Sequence, residues 1–494
     1  LFGRIKDHDF ASLNPELKKD MKLSIIEGIF STLMGSMIGG AILTGFALSM
    51  GADSFIIGIM ASLPLLANLV QIMASYIIDK VGDSKKVCLL YVILHRFIWL
   101  FIVLSPFLFL RTSFYDLRIW IFVALLSIGS IFASISGLSW NSWMADLIPA
   151  NLRGRFFAKR NMAAQLVGMV VVVAAGVFID YWRSLSSDNL TESYGFVFLF
   201  ALGTIAGFIS VYLLKKINKS KKISKKDENF LQKLKLPLKD SNFKKFIIFT
   251  SFWGFAVTLV SPFFSVYMIN TLHIPFSLIT LFGVMAGVTN ILGMKIWGGF
   301  IDKYGAKLLL YICSIGASLI PALWIFASPE NYSIIWIINI ISGFFWSGIG
   351  LASTNTMMNL SPSENNTVYF AVFSAITGLT GALAPIFGGS LASVFNNLQI
   401  FNISGLRLLF LTSSLFRLTT VLLLKRVDIT QHVSINEILD KFNNWQKIIP
   451  IYTMSRFSIF NINYRGNMNL VISRAMVKIE EEMEKLQSKI NINK

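Results

Sequence analysis

Ionisable side chains are few inside the long apolar stretches of this 494-residue chain, and the interior ones are Glu27, His95, Arg96, Lys295 and Arg417. A charge in hydrocarbon is costly, so each of them marks a function until a structural role is found for it. Glu27 stands about 7 Å beyond Lys22 on a helical rise, and a carboxylate there can take up a proton or face a cation. The competing reading pairs it with a basic loop residue. Arg96 is too deep to reach water and needs a partner, and both it and Arg417 read as bonds between helices. His95 points about 100° away from Arg96 around a helix, which predicts a hydrogen-bonded packing residue on a different face. Lys295 lies about 10 Å before Asp302 and can snorkel or face a cavity.

Neutral polar groups in the same stretches are Gln71, Trp140, Asn141, Asn290, Trp346 and Asn355. Amides and indoles orient a solute by directed hydrogen bonds, and they equally well bind one helix to another. Other chemistry is missing. There is no Gly-x-x-x-x-Gly-Lys-Ser/Thr loop, no His-Glu-x-x-His and no Cys-x-x-Cys, and Cys88 and Cys313 lie in or beside apolar segments. No cofactor, metal or disulfide is expected.

The elements that must position these residues are membrane-spanning helices. The chain is 54% hydrophobic and 14% charged, against about 25% charged in soluble proteins. Apolar windows predict an all-α membrane protein with twelve spans: Leu23–Met50, Phe55–Ile78, Val87–Leu110, Ile119–Trp143, Met162–Trp182, Tyr194–Leu214, Phe246–Ile269, Phe276–Ile301, Leu308–Phe326, Ile334–Met358, Tyr369–Val394 and Leu406–Leu424. Tyr181, Trp182, Tyr332 and Trp336 fit interfacial belts.

The formal charge of +18 sits in loops on one side, which argues for membrane topology and against nucleic acid. Lys80, Lys85, Lys86, Arg153, Arg155, Lys159, Arg160, Lys303 and Lys307 fall on the side assigned to the cytoplasm, and little beyond Arg111, Arg118, Arg183 and Arg407 falls opposite. Both termini are then cytoplasmic, in a bacterial-type inner membrane. The organisation is a polar segment 1–22 without signal-peptide features, a six-helix bundle 23–214, a basic linker 215–245, a second bundle 246–426 and a tail 427–494. In the tail, Ile472, Met476, Ile479, Met483, Leu486 and Ile490 form a short amphipathic stripe expected to dock on the protein's own cytoplasmic face.

The bundles repeat. Ile-Asp-Lys-x-Gly occurs as Ile78 to Gly82 and as Ile301 to Gly305, at an offset of 223 residues. Pro149 with Phe156-Phe157-Ala158 matches Pro362 with Tyr369-Phe370-Ala371 at an offset of 213. Two halves in the same orientation place a site at their interface near mid-membrane. Asp79 and Asp302 end their spans where the helix dipole disfavours an anion, so each needs a cation or a helix N-terminus as partner.

This pattern resembles the major facilitator superfamily, whose loop between the second and third spans reads Gly-x-x-x-Asp-Arg-x-Gly-Arg-Arg; Ser75 replaces the leading Gly and Lys80 the Arg. Trp140-Asn-Ser-Trp143-Met-Ala-Asp146-Leu-Ile-Pro149 with Arg153-Gly154-Arg155 is similar to bacterial members of unassigned substrate. The resemblance implies secondary transport of a small solute by alternating access, by a monomer in a lipid bilayer, with Glu27 the first candidate for proton coupling. It implies a releasable latch from Asp79, Gly82 and Lys86 and from Asp302, Gly305 and Lys307, with Asp146, Arg153 and Arg155 as a similar cluster. It also places Glu27, Gln71, Trp140, Asn141, Asn290, Trp346 and Asn355 on cavity-lining spans, and the third and twelfth spans at the periphery. The fourth span has Gly129 in an apolar, Ser-rich helix without the proton-antiporter Arg, so drug–proton antiport is not supported. A non-transporting receptor on this fold and an enzyme acting on a lipid-linked substrate are the alternatives.

Overall fold

The computed structural model describes residues 14–109, 117–186, 189–219, 235–362, 366–396, 398–400 and 403–428. The amphipathic stripe of the tail and most of the basic linker lie outside the described residues.

Among the described residues, eleven helices are long and apolar enough to cross a membrane. The twelfth, second in chain order, is divided: Ser54–Ala67 carries Pro64, a 3-10 turn comes next at Asn68–Val70, and Gln71–Val81 completes the span. Pro64 has no N–H to give the carbonyl of Met60, which weakens the helix in the turn before the proline. The first span begins at Pro15, capped by the Asn14 side chain accepting from Glu16 N at 3.0 Å, and runs to Ser49 with a break at Gly39. Gly40 then has φ +58°, a conformation glycine adopts without strain. The seventh span, Ser241–Thr271, is its repeat mate and is interrupted at the equivalent place: Ser241–Thr258 gives way to a turn before Phe263–Val266.

The remaining spans are Ser84–Phe109, Arg118–Leu147, Ala150–Leu185 and Asn189–Lys216 in the first half, and Phe276–Tyr304, Ala306–Leu323, Ile334–Leu360, Asn366–Phe395 and Leu406–Val421 in the second. A two-residue hairpin, Gln399–Ile400 with Ile403–Ser404, precedes the last. The fifth span starts twelve residues before the apolar window that predicts it. Its first three turns are polar, so hydropathy does not register them, and they turn Arg153, Arg155 and Arg160 from loop residues into helical ones.

Within the first half the first span packs on the fifth and sixth and the third on the fourth; in the second half the eighth and ninth pack on the tenth and the seventh on the eleventh and twelfth. The halves meet along two seams, second span against eleventh and fifth against eighth. Both seams are close at the end away from the basic loops. A Cβ at Gly58 would stand 2.2 Å from Pro385 O, and one at Gly176 would stand 2.7 Å from Phe276 O, so backbones touch where these glycines lie.

Candidate functional site

Glu27 is buried, with both carboxylate oxygens occupied: Arg160 Nη2 lies 2.9 Å from Oε2, and Ser210 Oγ donates to Oε1 at 2.9 Å. Arg160 Nε donates to Ser24 O at 3.1 Å, and its guanidinium lies over the Trp140 ring at 4.2 Å. Gly28 leaves the room, since a Cβ there would be 2.8 Å from the guanidinium carbon. A buried carboxylate is tolerated when its charge is matched and its oxygens are hydrogen-bonded, and here Arg160 matches the charge and each oxygen accepts one bond.

The pair borders a cavity of about 390 Å³ that also touches Arg96, His95, Ser31, Trp140 and Asn141. An adjoining cavity of about 510 Å³ is lined by Gly39 and Pro64, where the first two spans yield, and by Asn68, Gln71 and Trp99. The cavities share Ile38, His95, Ala133, Gly137 and Asn141. Gln71 Nε2 and Ser134 Oγ both donate to Asn68 Oδ1, at 3.0 and 3.3 Å.

Two sequence expectations for the third span need correction. Arg96 Nη1 donates to His95 Nδ1 at 2.7 Å, so the two do share an environment. The 100° step separates Cβ atoms, and a long guanidinium curls back across it. The span is also not merely peripheral, since His95, Arg96 and Trp99 all reach the cavities.

At the basic end, the turns behave as expected and the latch partners do not. Gly82 (φ +65°) and Gly305 (φ +88°) each reverse the chain between spans. Lys307 Nζ turns to Val427 O at 2.5 Å and not to Asp302, which is exposed and makes no ion pair with a described residue. Lys86 is exposed and contributes its backbone N–H, 3.2 Å from Asp83 Oδ1. The Asp79 side chain lies outside the described residues. Lys85, not Lys86, is the structural mate of Lys307: its Nζ donates to Ile217 O at 2.6 Å and Lys215 O at 3.1 Å. In the other cluster, Arg153 Nε donates to Ile148 O at 3.0 Å, leaving Asp146 half-buried and unpaired with it; Arg155 is exposed.

Asp83 carries the ionic contact there. It caps the third span and meets Lys219 Nζ at 2.9 Å. Burial alone would raise its carboxyl, but hydrogen bonds from Lys219 and from the Lys86 amide, with both positive charges nearby, hold it below the ordinary value.

At the far end, Asp180 joins the halves. Its carboxylate accepts from Phe276 N at 2.6 Å and Ser277 N at 2.8 Å, capping the eighth span from the fifth. Two free N–H groups and the positive end of the helix dipole suit a carboxylate there. Sequence reasoning missed this residue by reading it with the Tyr181–Trp182 belt. The argument used for Asp79, that an acid at a helix C-terminus needs a partner elsewhere, would have found it.

The second-half candidates border neither cavity. Asn290 Nδ2 donates to Gly343 O at 3.3 Å, Asn355 Nδ2 to Leu351 O of its own helix at 3.1 Å, and the Trp346 ring lies 6.4 Å from that of Trp253. Lys295 is exposed on the eighth span. Arg417 is buried and donates to Ala317 O at 3.1 Å and Val257 O at 3.5 Å, a bond between helices as expected.

The family model for the Major Facilitator Superfamily matches residues 26–385 and, again, 246–460. The chain belongs to the major facilitator superfamily. It is an integral membrane transporter and not an enzyme. Solved structures similar to this superfamily member include the nucleoside transporter NupG (14% identity, TM-score 0.61, 83% of this chain and 98% of that one). They also include a bacterial homologue of the human lysosomal transporter Spinster, inward-facing and occupied (14%, 0.62, 86% and 100%). A third is the inward-open xylose transporter XylE from E. coli (14%, 0.58, 86% and 99%). At such identities these likenesses show the fold. A tetracycline resistance protein, class H, of Pasteurella multocida is 28% identical over 121 residues, and the match spans 24% of this chain and 30% of that relative.

Proposed function

We propose that this protein carries a small solute across a bacterial inner membrane by alternating access, as a monomer with both chain ends cytoplasmic, and with Glu27 as the proton-coupling residue. One observation carries the reading. The far ends of the halves are held together by Asp180 on Phe276 and Ser277, while among the described residues the basic-end contacts of the two motif loops stay within their own halves: Lys85 on Ile217, Asp83 on Lys219, Lys307 on Val427. A closed far end and unlinked basic ends suit a transporter open to the basic side, which the charge bias of the loops assigns to the cytoplasm. Capping bonds of this kind are individually weak enough to exchange when the bundles rock.

Glu27 supports coupling because protonation would release Arg160, whose charge then needs another partner in the same cavity. The test is solute uptake into proteoliposomes with and without an imposed proton gradient. The expected result is gradient-driven accumulation that Glu27→Gln abolishes while exchange of solute for solute survives. Accumulation by Glu27→Gln equal to the parent would remove Glu27 from coupling.

A further inference from the structure

The cavity beside Glu27 has more donors and more positive charge than its own residues can match. Glu27 is matched by Arg160, and each of its oxygens already accepts a hydrogen bond from another residue. Arg96, a permanently protonated guanidinium 7% exposed, forms no ion pair with a described residue, and its Nε is buried without a hydrogen-bond partner. Trp140 lines the same cavity, and its Nε1 is also buried without a partner.

His95 adds to the imbalance. Arg96 Nη1 is 2.7 Å from its Nδ1 and Trp99 Nε1 is 3.2 Å from its Nε2. Both neighbours only donate, whereas a neutral imidazole has one accepting nitrogen and an imidazolium has none. At least one of these N–H groups therefore lacks an acceptor. The orphaned atoms around this cavity are all donors, and its two guanidinium groups, Arg96 and Arg160, share one carboxylate, Glu27.

We propose that the cavity binds a small solute bearing an anionic oxygen group, a carboxylate or a phosphoryl group, with Arg96 as its charge partner and Trp140 as a second donor. This deepens the transport reading by naming the solute class, and rests on that reading only for the steps after binding. A cation would enter a cavity whose two guanidinium groups already outnumber its one carboxylate, and a neutral hydroxyl compound brings acceptors but leaves the charge unmatched. An oxyanion supplies both, through charge-assisted hydrogen bonds. Arg417 provides an internal control: it is as deeply buried and has an orphaned Nε, but its other nitrogens rest on carbonyls and it borders neither cavity.

The experiment is thermal unfolding and tryptophan fluorescence of the detergent-purified full chain against inorganic phosphate, glucose 6-phosphate, citrate and lactate, with xylose, uridine and tetraphenylphosphonium as neutral and cationic probes. At least one anion should raise Tm and quench fluorescence. Its Kd should weaken about tenfold or more in Arg96→Gln, recover in part in Arg96→Lys and stay unchanged in Arg417→Gln. A response to the phosphates alone or to the carboxylates alone assigns the group. If Arg96→Gln does not fold, Trp140→Phe removes a single donor and should weaken the same anion. A response confined to xylose, uridine or tetraphenylphosphonium, an anion bound equally by Arg96→Gln, or silence from every probe overturns the proposal. An anion that binds but is not exchanged across proteoliposomes keeps the site and overturns transport. A neutral solute carried equally by Arg96→Gln keeps transport and overturns the site.

Discussion

Lys85 and Lys307 are each the second residue of the helix after the repeated loop, and they cap Ile217 O and Val427 O at the ends of the sixth and twelfth spans. Beside them, Asp20 Oδ1 accepts from Asn218 N at 3.1 Å and Asn242 Oδ1 from Asp428 N at 2.8 Å. The first and second halves therefore close their last helices by the same two bonds. Their interiors differ. At the matching offset of 222 residues Arg96 corresponds to Ser318, and at 210 Gly207 corresponds to Arg417. Each half thus buries one arginine between its third and last spans, but from opposite helices. Gly207 lets Arg96 through, a Cβ there lying 2.7 Å from its Cδ, and so turns that arginine toward a cavity. Arg417 is absorbed by backbone carbonyls. Helix-end chemistry is common to both halves because any span needs it, while interior charge is distributed so that the first half holds Glu27, Arg96 and Arg160 around one cavity.

The largest expected effect breaks that asymmetry. Glu27→Ala strands Arg160 in a buried site and should cost about 3–5 kcal/mol in unfolding free energy measured by denaturant titration in detergent. Lys245→Ala, which removes the exposed pair with Asp428 in the second half, should leave the same titration unchanged. Gly28→Ala comes next: Arg160 is pinned by Glu27, Ser24 and Trp140, so the new methyl should displace it and cost about 1–3 kcal/mol, with loss of any Glu27-dependent solute uptake.

The shared caps give a smaller effect that sharpens the comparison. Lys85→Ala and Lys307→Ala should each destabilise by about 1 kcal/mol, and by similar amounts. A loss in only one half would show that the repeat has lost its structural meaning at the other.

Smallest is a pH effect found only in the first half. The Asp83 carboxyl is held below its ordinary value of 3.8, so its contribution is present above that value and is lost as pH falls through the lower folded value. Asp83→Asn should therefore reduce Tm at pH 7, and the gap to the parent should narrow only once pH falls below 3.8, which paired melts on either side of that value check. The second half has no matching residue, because Ala306 comes directly after Gly305.

The span count, the repeat and the charge bias were legible because each depends on composition over many residues. The Ile-Asp-Lys-x-Gly loops were legible as turns, since glycine in the left-handed region is a local requirement. Partners were not. For Glu27 the competing reading, a basic loop residue as partner, is the one the structure shows, but that the partner is Arg160, 133 residues away, was not legible. Lys86 and Lys85 are neighbours in the sequence, and only the start of the helix at Ser84 decides which reaches the sixth span. Asp180 was visible as an acid near a helix C-terminus, but its partners were not, because they are backbone N–H groups of the other half and backbone carries no sequence signal.

Distances between spin labels at the ends of the halves test the alternating-access account most directly. Labels replacing the exposed Lys80 and Lys303 report the basic end, and labels at Leu185 and Leu398 report the far end. Releasing the Asp180 clamp with Asp180→Ala should shift the population toward a shorter Lys80–Lys303 distance and a longer Leu185–Leu398 distance, in the same sample. Distances that stay at the parent values at both ends, or that lengthen together, would contradict a rocking pair of bundles.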